Sequence, residues 1–213
     1  MFSAVELPTL KTRGVEILTE AIFSGKIKPG ERLNESQLSR ELKISRAPIR
    51  EALQQLEEQG LVVNKARRGM FVVHLEGGDI AKINSVRLIL ESECLRLARA
   101  RLTPPAEARL VQILERLERS GSAPPNVRVR LDFDFHKAIW AITENEYLER
   151  TLIALSGPLF AHSVLRIMKS DKIRHIIFSH RPLLSFIQGN SKQPAETIMA
   201  EHLNLPWSKV RAS

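Results

Sequence analysis

Cysteine is almost absent from this chain. Cys94 is the only one in 213 residues, which excludes an intrachain disulfide framework and leaves a cysteine-based zinc cluster without its ligands. There is no uninterrupted apolar run near the ~20 residues that a membrane span needs. The opening Met1-Phe2-Ser3-Ala4-Val5-Glu6-Leu7-Pro8 lacks the basic start and apolar core of a secretory signal, so no export and no membrane partner are expected. No internal repeat or low-complexity tract occurs. Hydrophobic residues at 43% and charged residues at 26% are ordinary for a globular protein and exclude a disordered chain.

What is present in excess is positive charge, +8 from 32 Lys and Arg against 24 Asp and Glu. Such a balance permits a nucleic-acid or anion partner without locating it. Residues 1–75 hold 12 basic and 9 acidic residues, and residues 76–213 hold 20 and 15. The excess is therefore spread along the chain, and placed residues rather than bulk charge must mark a binding surface. Histidine is uneven, five of the six lying after residue 130.

The chain divides near Glu76-Gly77-Gly78-Asp79, because Gly-Gly breaks local structure. This predicts one domain over 1–76 and another over 79–213. In the first, Leu10 to Ser24 has a helical apolar face, and Lys28-Pro29-Gly30-Glu31 is a turn. Asn34 is placed to cap a helix from Glu35 to Leu42, and Ser45 to cap one from Arg46 to Gln59, with Pro48 in its first turn and Gly60 at its end. Residues 61–63 and 70–73 read as strands around the basic tip from Asn64 to Gly69. In the second part Ile80, Ile83, Val86, Leu90, Cys94 and Leu97 recur at helical spacing over roughly 22 residues. A second helix carries Leu110, Ile113, Leu114 and Leu117, and Gly121 to Asn126 is a loop. Further helices are expected near 127–143, 147–168, 172–188 and 194–203, with Pro158 kinking or interrupting the second of these. The fold class is mainly α: an N-terminal winged helix-turn-helix and a C-terminal all-α helical bundle.

Two short helices, a tight turn and a two-stranded wing are the parts of a reader of double-stranded DNA, whose second helix enters the major groove by its N-terminal end. Here that end is Ser45-Arg46-Ala47-Pro48-Ile49-Arg50. Arg46 and Arg50 share a face, away from Ile49, Leu53 and Leu56, and an arginine fork suits O6 and N7 of guanine. Ser45 and the free N–H groups of the helix start suit a phosphate. Lys65, Arg67 and Arg68 at the wing tip suit phosphates or a minor groove, and Gly69 allows the turn. Either arginine alone reads first as a solvated helix face; the combination with the wing carries the DNA reading.

The residues Pro29-Gly30-Glu31-Arg32-Leu33-Asn34-Glu35, Leu38-Ser39-Arg40-Glu41-Leu42, Ser45 to Leu53, and Leu56-Glu57-Glu58-Gln59-Gly60-Leu61-Val62 closely resemble the DNA-binding domain of the GntR family of bacterial transcription regulators. The resemblance implies Ser45, Arg46 and Arg50 as operator contacts and Gly69 as the wing glycine. Some members place a DNA-contacting arginine where this chain has Ser36, which leaves Arg40 as an alternative phosphate contact.

In the second part, Asp132 and His136 stand four apart on one helix face. The pair is either a surface hydrogen bond or two ligands of a divalent metal. With His180 and His202 from later helices the set offers one oxygen and three nitrogens, suited to Zn, Ni, Co, Mn or Fe rather than Ca or Mg. His162 and His175 fall outside this set. Residues from about 79 to 203 resemble the helical ligand-binding (FCD-type) domain of the FadR-like branch of the same family, through Val86-Arg87 with Leu90-Glu91, Asp132 to His136, Asn145-Glu146-Tyr147-Leu148, Ser179-His180, Gly189-Asn190 and His202-Leu203. The resemblance implies a divalent transition metal on Asp132, His136, His180 and His202, and a small organic acid effector held beside it. Ser179 and Asn190 depart from the Glu and Asp common at those positions. Arg87, beside the apolar stripe of its helix, is a candidate effector contact or else a salt-bridge partner of Glu91.

These features predict a cytoplasmic, homodimeric regulator of transcription that binds a palindromic DNA operator and responds to a small carboxylate metabolite. A metal-dependent enzyme using the same four residues is the alternative from another class. No separate acid–base pair or nucleophile motif supports it, and it leaves the N-terminal domain unexplained. A third alternative is a sensor whose signal is the metal itself.

Overall fold

Two of the three N-terminal helices begin where a polar side chain satisfies their free N–H groups. The computed structural model describes residues 9–167 and 180–207. Helix α1 spans Leu10–Phe23, with Thr9 accepting from the backbone N–H of Thr12, and buries Val15, Leu18, Ile22 and Phe23. Helix α2 spans Glu35–Leu42, and Asn34 Oδ1 accepts from the N–H of Ser36 at 2.9 Å and of Gln37 at 3.1 Å. Lys43 then adopts a left-handed conformation and turns the chain into α3, Arg46–Glu58. Ile49, Ala52, Leu53 and Leu56 are its buried stripe, as the sequence predicts. Ser45 occupies the N-cap position with extended backbone, but its side chain makes no cap hydrogen bond. The expected capping role is thereby corrected, and the exposed hydroxyl is left over for another partner.

The wing has three strands rather than the two expected. Strands β2 (Val62–Lys65) and β3 (Gly69–Val72) form the hairpin, and β1 (Arg32–Leu33) pairs antiparallel with the outer side of β3. Two residues are too few to show alternation in the sequence. The hairpin tip is held by the Arg68 N–H donating to the Lys65 carbonyl at 2.8 Å, with Arg67 and Gly69 both at positive φ.

The second part is built from α4 (Asp79–Arg101), α5 (Pro104–Arg119), α6 (Pro125–Ile142), α7 (Glu146–Ile167), α8 (Arg181–Ile187) and α9 (Ala195–Trp207). A 3-10 turn at Ser120–Ser122 shortens the expected loop, and α6 starts at Pro125, where a missing N–H costs little. Helix α7 continues through Pro158 rather than stopping at it. Of the helix expected over 172–188 only α8 is described; 172–179, with His175 and Ser179, lies outside the described residues.

Helix α4 is rotated relative to the expected stripe. Its buried face carries Ile80, Arg87, Glu91, Ser92, Cys94, Leu95 and Ala98, while Val86 is 42% exposed and Ile89 70% exposed. A charged pair thus turns inward and branched aliphatic residues turn outward, because Glu91 has partners inside the bundle that no apolar residue could satisfy.

The two parts pack on one another. Val129, Phe160 and Ala161, from α6 and α7, belong to the same hydrophobic cluster as Leu18, Phe23, Leu53 and Leu56 of the N-terminal part. Phe133 on α6 bridges them, its ring 6.1 Å from that of Phe23 and 4.8 Å from that of Phe160. Polar contacts flank the junction, Glu20 accepting from Asn126 Nδ2 at 2.9 Å and from Arg130 Nη1 at 3.4 Å. Gly60 has φ +70, and a Cβ there would lie 2.1 Å from the Ala154 carbonyl oxygen. That carbonyl is the one that Pro158, lacking an N–H, cannot engage within α7.

Candidate functional site

The residues of the N-terminal part that the sequence marks for DNA lie open to solvent. Arg40, Ser45, Arg46, Arg50, Lys65, Arg67 and Arg68 are all exposed and Gly69 is half-buried. The α2–α3 turn and the buried stripe of α3 place the first residues of α3 outward, so every charge that sequence reasoning assigned to DNA is accessible. The cations are not all unengaged. Glu35 on α2 accepts from Arg50 Nε at 3.3 and 3.2 Å through its two oxygens, and from Nη2 at 3.0 Å. These hydrogen bonds, and then the charge of Glu35, push the Arg50 guanidinium still higher than its ordinary value. The fork of Arg50 is therefore oriented by a carboxylate before any nucleic acid arrives. At the wing, Lys65 Nζ lies 4.9 Å and the Arg68 guanidinium 6.0 Å from the centre of the Phe71 ring, which restrains both side chains near the tip. Sequence reasoning missed Glu35 and Phe71, since neither spacing nor charge marks a partner 15 residues away or an aromatic on the adjacent strand.

The second constellation is buried. Asp132 and His136 come from α6, His180 immediately precedes α8, and His202 lies on α9. The structure brings all four together. The three histidines offer ligand atoms that all lie within 4.8 Å of one another. Nε2 of His202 is 3.0 Å from Nε2 of His136. Asp132 Oδ1 is 2.6 Å from His180 Nε2 and 3.7 Å from His136 Nε2. That oxygen is sealed from water, with these two imidazoles as its near neighbours, so a buried carboxylate there needs a cation beside it, a protonated ring or a metal ion. Burial first, then the neighbouring His180 and His136, holds His202 well below the usual histidine range, which favours the neutral ring that has a lone pair to offer. One oxygen and up to three imidazole nitrogens converging in a water-poor space form a donor set for a divalent transition metal, and the residues present fit one. Cys94 is not part of this cluster, and burial, then Glu91 and Glu93, raises its thiol far above the ordinary range.

Behind these four side chains lies Glu91 of α4. Its Oε1 accepts from Arg87 Nε at 2.6 Å, and its Oε2 lies 2.8 Å from His136 Nδ1 and 3.2 Å from the indole N–H of Trp140. The Arg87 and Glu91 side chains are 1% and 2% exposed. Burial pushes the Glu91 carboxyl up, but Arg87, then His136 through charge and hydrogen bond, pulls it further down, well below the usual carboxylate range. Of the two roles open to Arg87, the structure makes the pairing with Glu91. The sequence marked Glu91 only as the residue one turn from Arg87; that it also reaches His136 and Trp140 on α6 was not legible. Phe160 closes the space on another side, its ring 5.7 Å from that of His136 and 5.4 Å from the Arg87 guanidinium. His162, outside the ligand set, stands 6.4 Å from His74 in an edge-on ring contact.

Comparison with known proteins agrees with both halves. Residues 11–72 match the family described as bacterial regulatory proteins, gntR family, and residues 82–205 match the FCD domain. The uncharacterized HTH-type transcriptional regulator YdhC of Bacillus subtilis (strain 168) is 30% identical over 192 residues, 88% of this chain and 84% of that one. The Nta operon transcriptional regulator of Aminobacter aminovorans is 35% identical over 129 residues, 61% of each chain. Among solved structures, E. coli McbR/YncC shares the fold with a TM-score of 0.74 at 23% identity, over 93% of this chain and 95% of that one. These families and relatives are regulators of transcription and not enzymes. Among the described residues, no helix is long and apolar enough to cross a membrane.

Proposed function

The chain belongs to the gntR family of bacterial regulatory proteins, with an FCD domain as its second half, and from this membership we propose a cytoplasmic, homodimeric transcription regulator that senses a small organic acid. Residues 1–76 bind one half-site of a palindromic operator. Arg46 and Arg50 enter the major groove, Ser45 and Arg40 hold phosphates, and Lys65, Arg67 and Arg68 follow the backbone or minor groove around Gly69. Two copies related by a two-fold axis present two such surfaces. The outward aliphatic face of α4, with Val86 and Ile89 exposed, supports a contact with a second copy.

Residues 79–213 form the sensing domain. Asp132, His136, His180 and His202 would hold a divalent transition metal (Zn, Ni, Co, Mn or Fe), which would supply a fixed positive charge for a carboxylate effector. Arg87 stands behind the site with its Nε held by Glu91, and its remaining N–H groups are the candidate contact for the effector carboxylate. Phe160 touches both His136 and Arg87 while packing in the N-terminal core. A change in the pocket is therefore felt at the junction between sensing and reading domains, and an effector acts by favouring one junction geometry over another.

The observation that carries this reading is the buried three-histidine, one-aspartate cluster in a helical domain packed on an exposed helix-turn-helix. The test is operator binding by the purified full chain, stripped of metal and then titrated with each metal, alone and with a panel of di- and tricarboxylic acids. An affinity that changes only with metal and one acid together supports the reading. An affinity that follows metal alone makes the metal the signal, and turnover of an acid by the protein refutes a purely regulatory role.

A further inference from the structure

Glu91 stands at the centre of a buried network for which metal ligation itself has no use. Two of its three donors have no choice of role. Arg87 Nε and Trp140 Nε1 carry hydrogen and can only donate. Arg87 engages Oε1 at 2.6 Å and Trp140 engages Oε2 at 3.2 Å, so both oxygens accept, and the buried guanidinium against Oε1 favours the ionised carboxylate. Its third neighbour, His136 Nδ1, lies 2.8 Å from Oε2. Facing an acceptor, that nitrogen must carry the proton. In a neutral ring the other nitrogen, Nε2, then keeps its lone pair. Nε2 is the atom that faces His202 Nε2 at 3.0 Å and lies 3.7 Å from Asp132 Oδ1.

We infer that Glu91 is the positioning residue of this site, fixing His136 in the Nδ1–H tautomer so that its Nε2 lone pair is presented to the metal. The inference rests on the metal reading for its consequence and on geometry alone for the tautomer. Exchange of the proton to Nε2 would put a hydrogen where a ligand lone pair is required. The carboxylate also holds the ring's orientation, which a freely rotating imidazole would lose on burial. Partners of this kind typically change metal affinity about 10- to 100-fold when removed.

An amide at position 91 separates this role from simple packing, because it has the same size but only one acceptor oxygen. In Glu91→Gln the oxygen goes to the stronger, charged donor, Arg87. The NH2 group then faces His136 Nδ1, which must accept, and the proton moves to Nε2. Zn(II) affinity of the full chain, measured by competition with a chromophoric chelator, is expected to fall about 10- to 100-fold. Trp140→Phe removes one donor and leaves the tautomer in place, so its Zn(II) affinity stays within about twofold of the parent on the same reasoning. Glu91→Gln combined with Arg87→Met frees the amide oxygen to face His136 and restores most of the lost affinity. A Glu91→Gln protein that is folded and binds Zn(II) like the parent overturns the inference.

The tautomer is also read without any variant. Nitrogen-15 shifts of the His136 ring in the metal-free parent protein are expected to show a protonated Nδ1 and a bare Nε2, and the opposite assignment overturns the inference even if no variant folds. Should the parent bind no metal at all, the metal reading fails, while the same spectrum still decides the tautomer.

Discussion

Replacing Gly60 with alanine tests the junction between the reading and sensing domains, and Gly30 supplies the control. Both glycines have positive φ, +70 and +78, so alanine at either position meets the same left-handed strain, about 1–2 kcal/mol. Their surroundings differ. At Gly30 the nearest atom to a new Cβ is the His74 Cβ at 3.9 Å, an ordinary contact. At Gly60 the Cβ would lie 2.1 Å from the Ala154 oxygen and 3.0 Å from its carbonyl carbon, both of them α7 backbone. Backbone cannot rotate away as a side chain can, so the end of α3 and the middle of α7 must separate by roughly 1 Å, an overpacking that costs about 1–3 kcal/mol more. Gly60→Ala should therefore lose about 2–5 kcal/mol and Gly30→Ala about 1–2 kcal/mol, the difference belonging to the domain junction. Chemical denaturation followed by circular dichroism measures both, and small-angle scattering shows whether the Gly60 variant relieves its clash by undocking the domains. Gly157→Ala approaches the same junction from the other side, with its Cβ 2.8 Å from the Gln59 oxygen. Gly157 lies inside α7, where alanine is favoured by about 1 kcal/mol, so destabilisation there can come only from the contact. Equal losses for the Gly60 and Gly30 variants, with unchanged scattering, would refute the described packing.

Asn34→Ala should lower stability by about 1 kcal/mol, because its side chain accepts two N–H groups at the start of α2. Ser45→Ala should leave stability nearly unchanged, since its hydroxyl caps nothing, yet weaken operator binding; thermal melts and DNA titrations on the same two proteins separate the roles. Arg46→Ala and Arg50→Ala should each weaken specific DNA binding by about 1–3 kcal/mol, and unchanged operator affinity in both would sink the groove assignment. His136→Ala with His180→Ala should abolish metal binding while helical content is retained, and full metal stoichiometry after the double change would place the site elsewhere.

Much of the reading domain was legible because its determinants are local. Asn34 before an amphipathic turn, Pro48 in a first helical turn, Gly60 after a last one and the Leu53/Leu56 stripe act over a few residues, and the helices lie where they predict. Strand β1 was hidden because its pairing with β3 is a contact across nearly 40 residues of chain, and Arg32–Leu33 is too short for a pattern. The four-residue spacing of Asp132 and His136 was equally local, whereas His180 and His202 were added to it by residue type alone and then by family resemblance. The convergence of all four is a tertiary event.

By itself, the sequence determined which segments form helices, where the wing turns, and which side chains have the chemistry to read DNA or ligate a metal. Those are consequences of backbone geometry and of residue type. Only the tertiary structure decided which partner each of those side chains takes. Arg50 was bonded to Glu35, Arg87 to Glu91, the α4 aliphatic face was turned outward, and Phe160 was shared between the histidine cluster and the N-terminal core. The physical reason is burial. In a closed interior every ionised or polar group must find a complement, and that complement is whichever residue packing brings within reach, however distant it is along the chain.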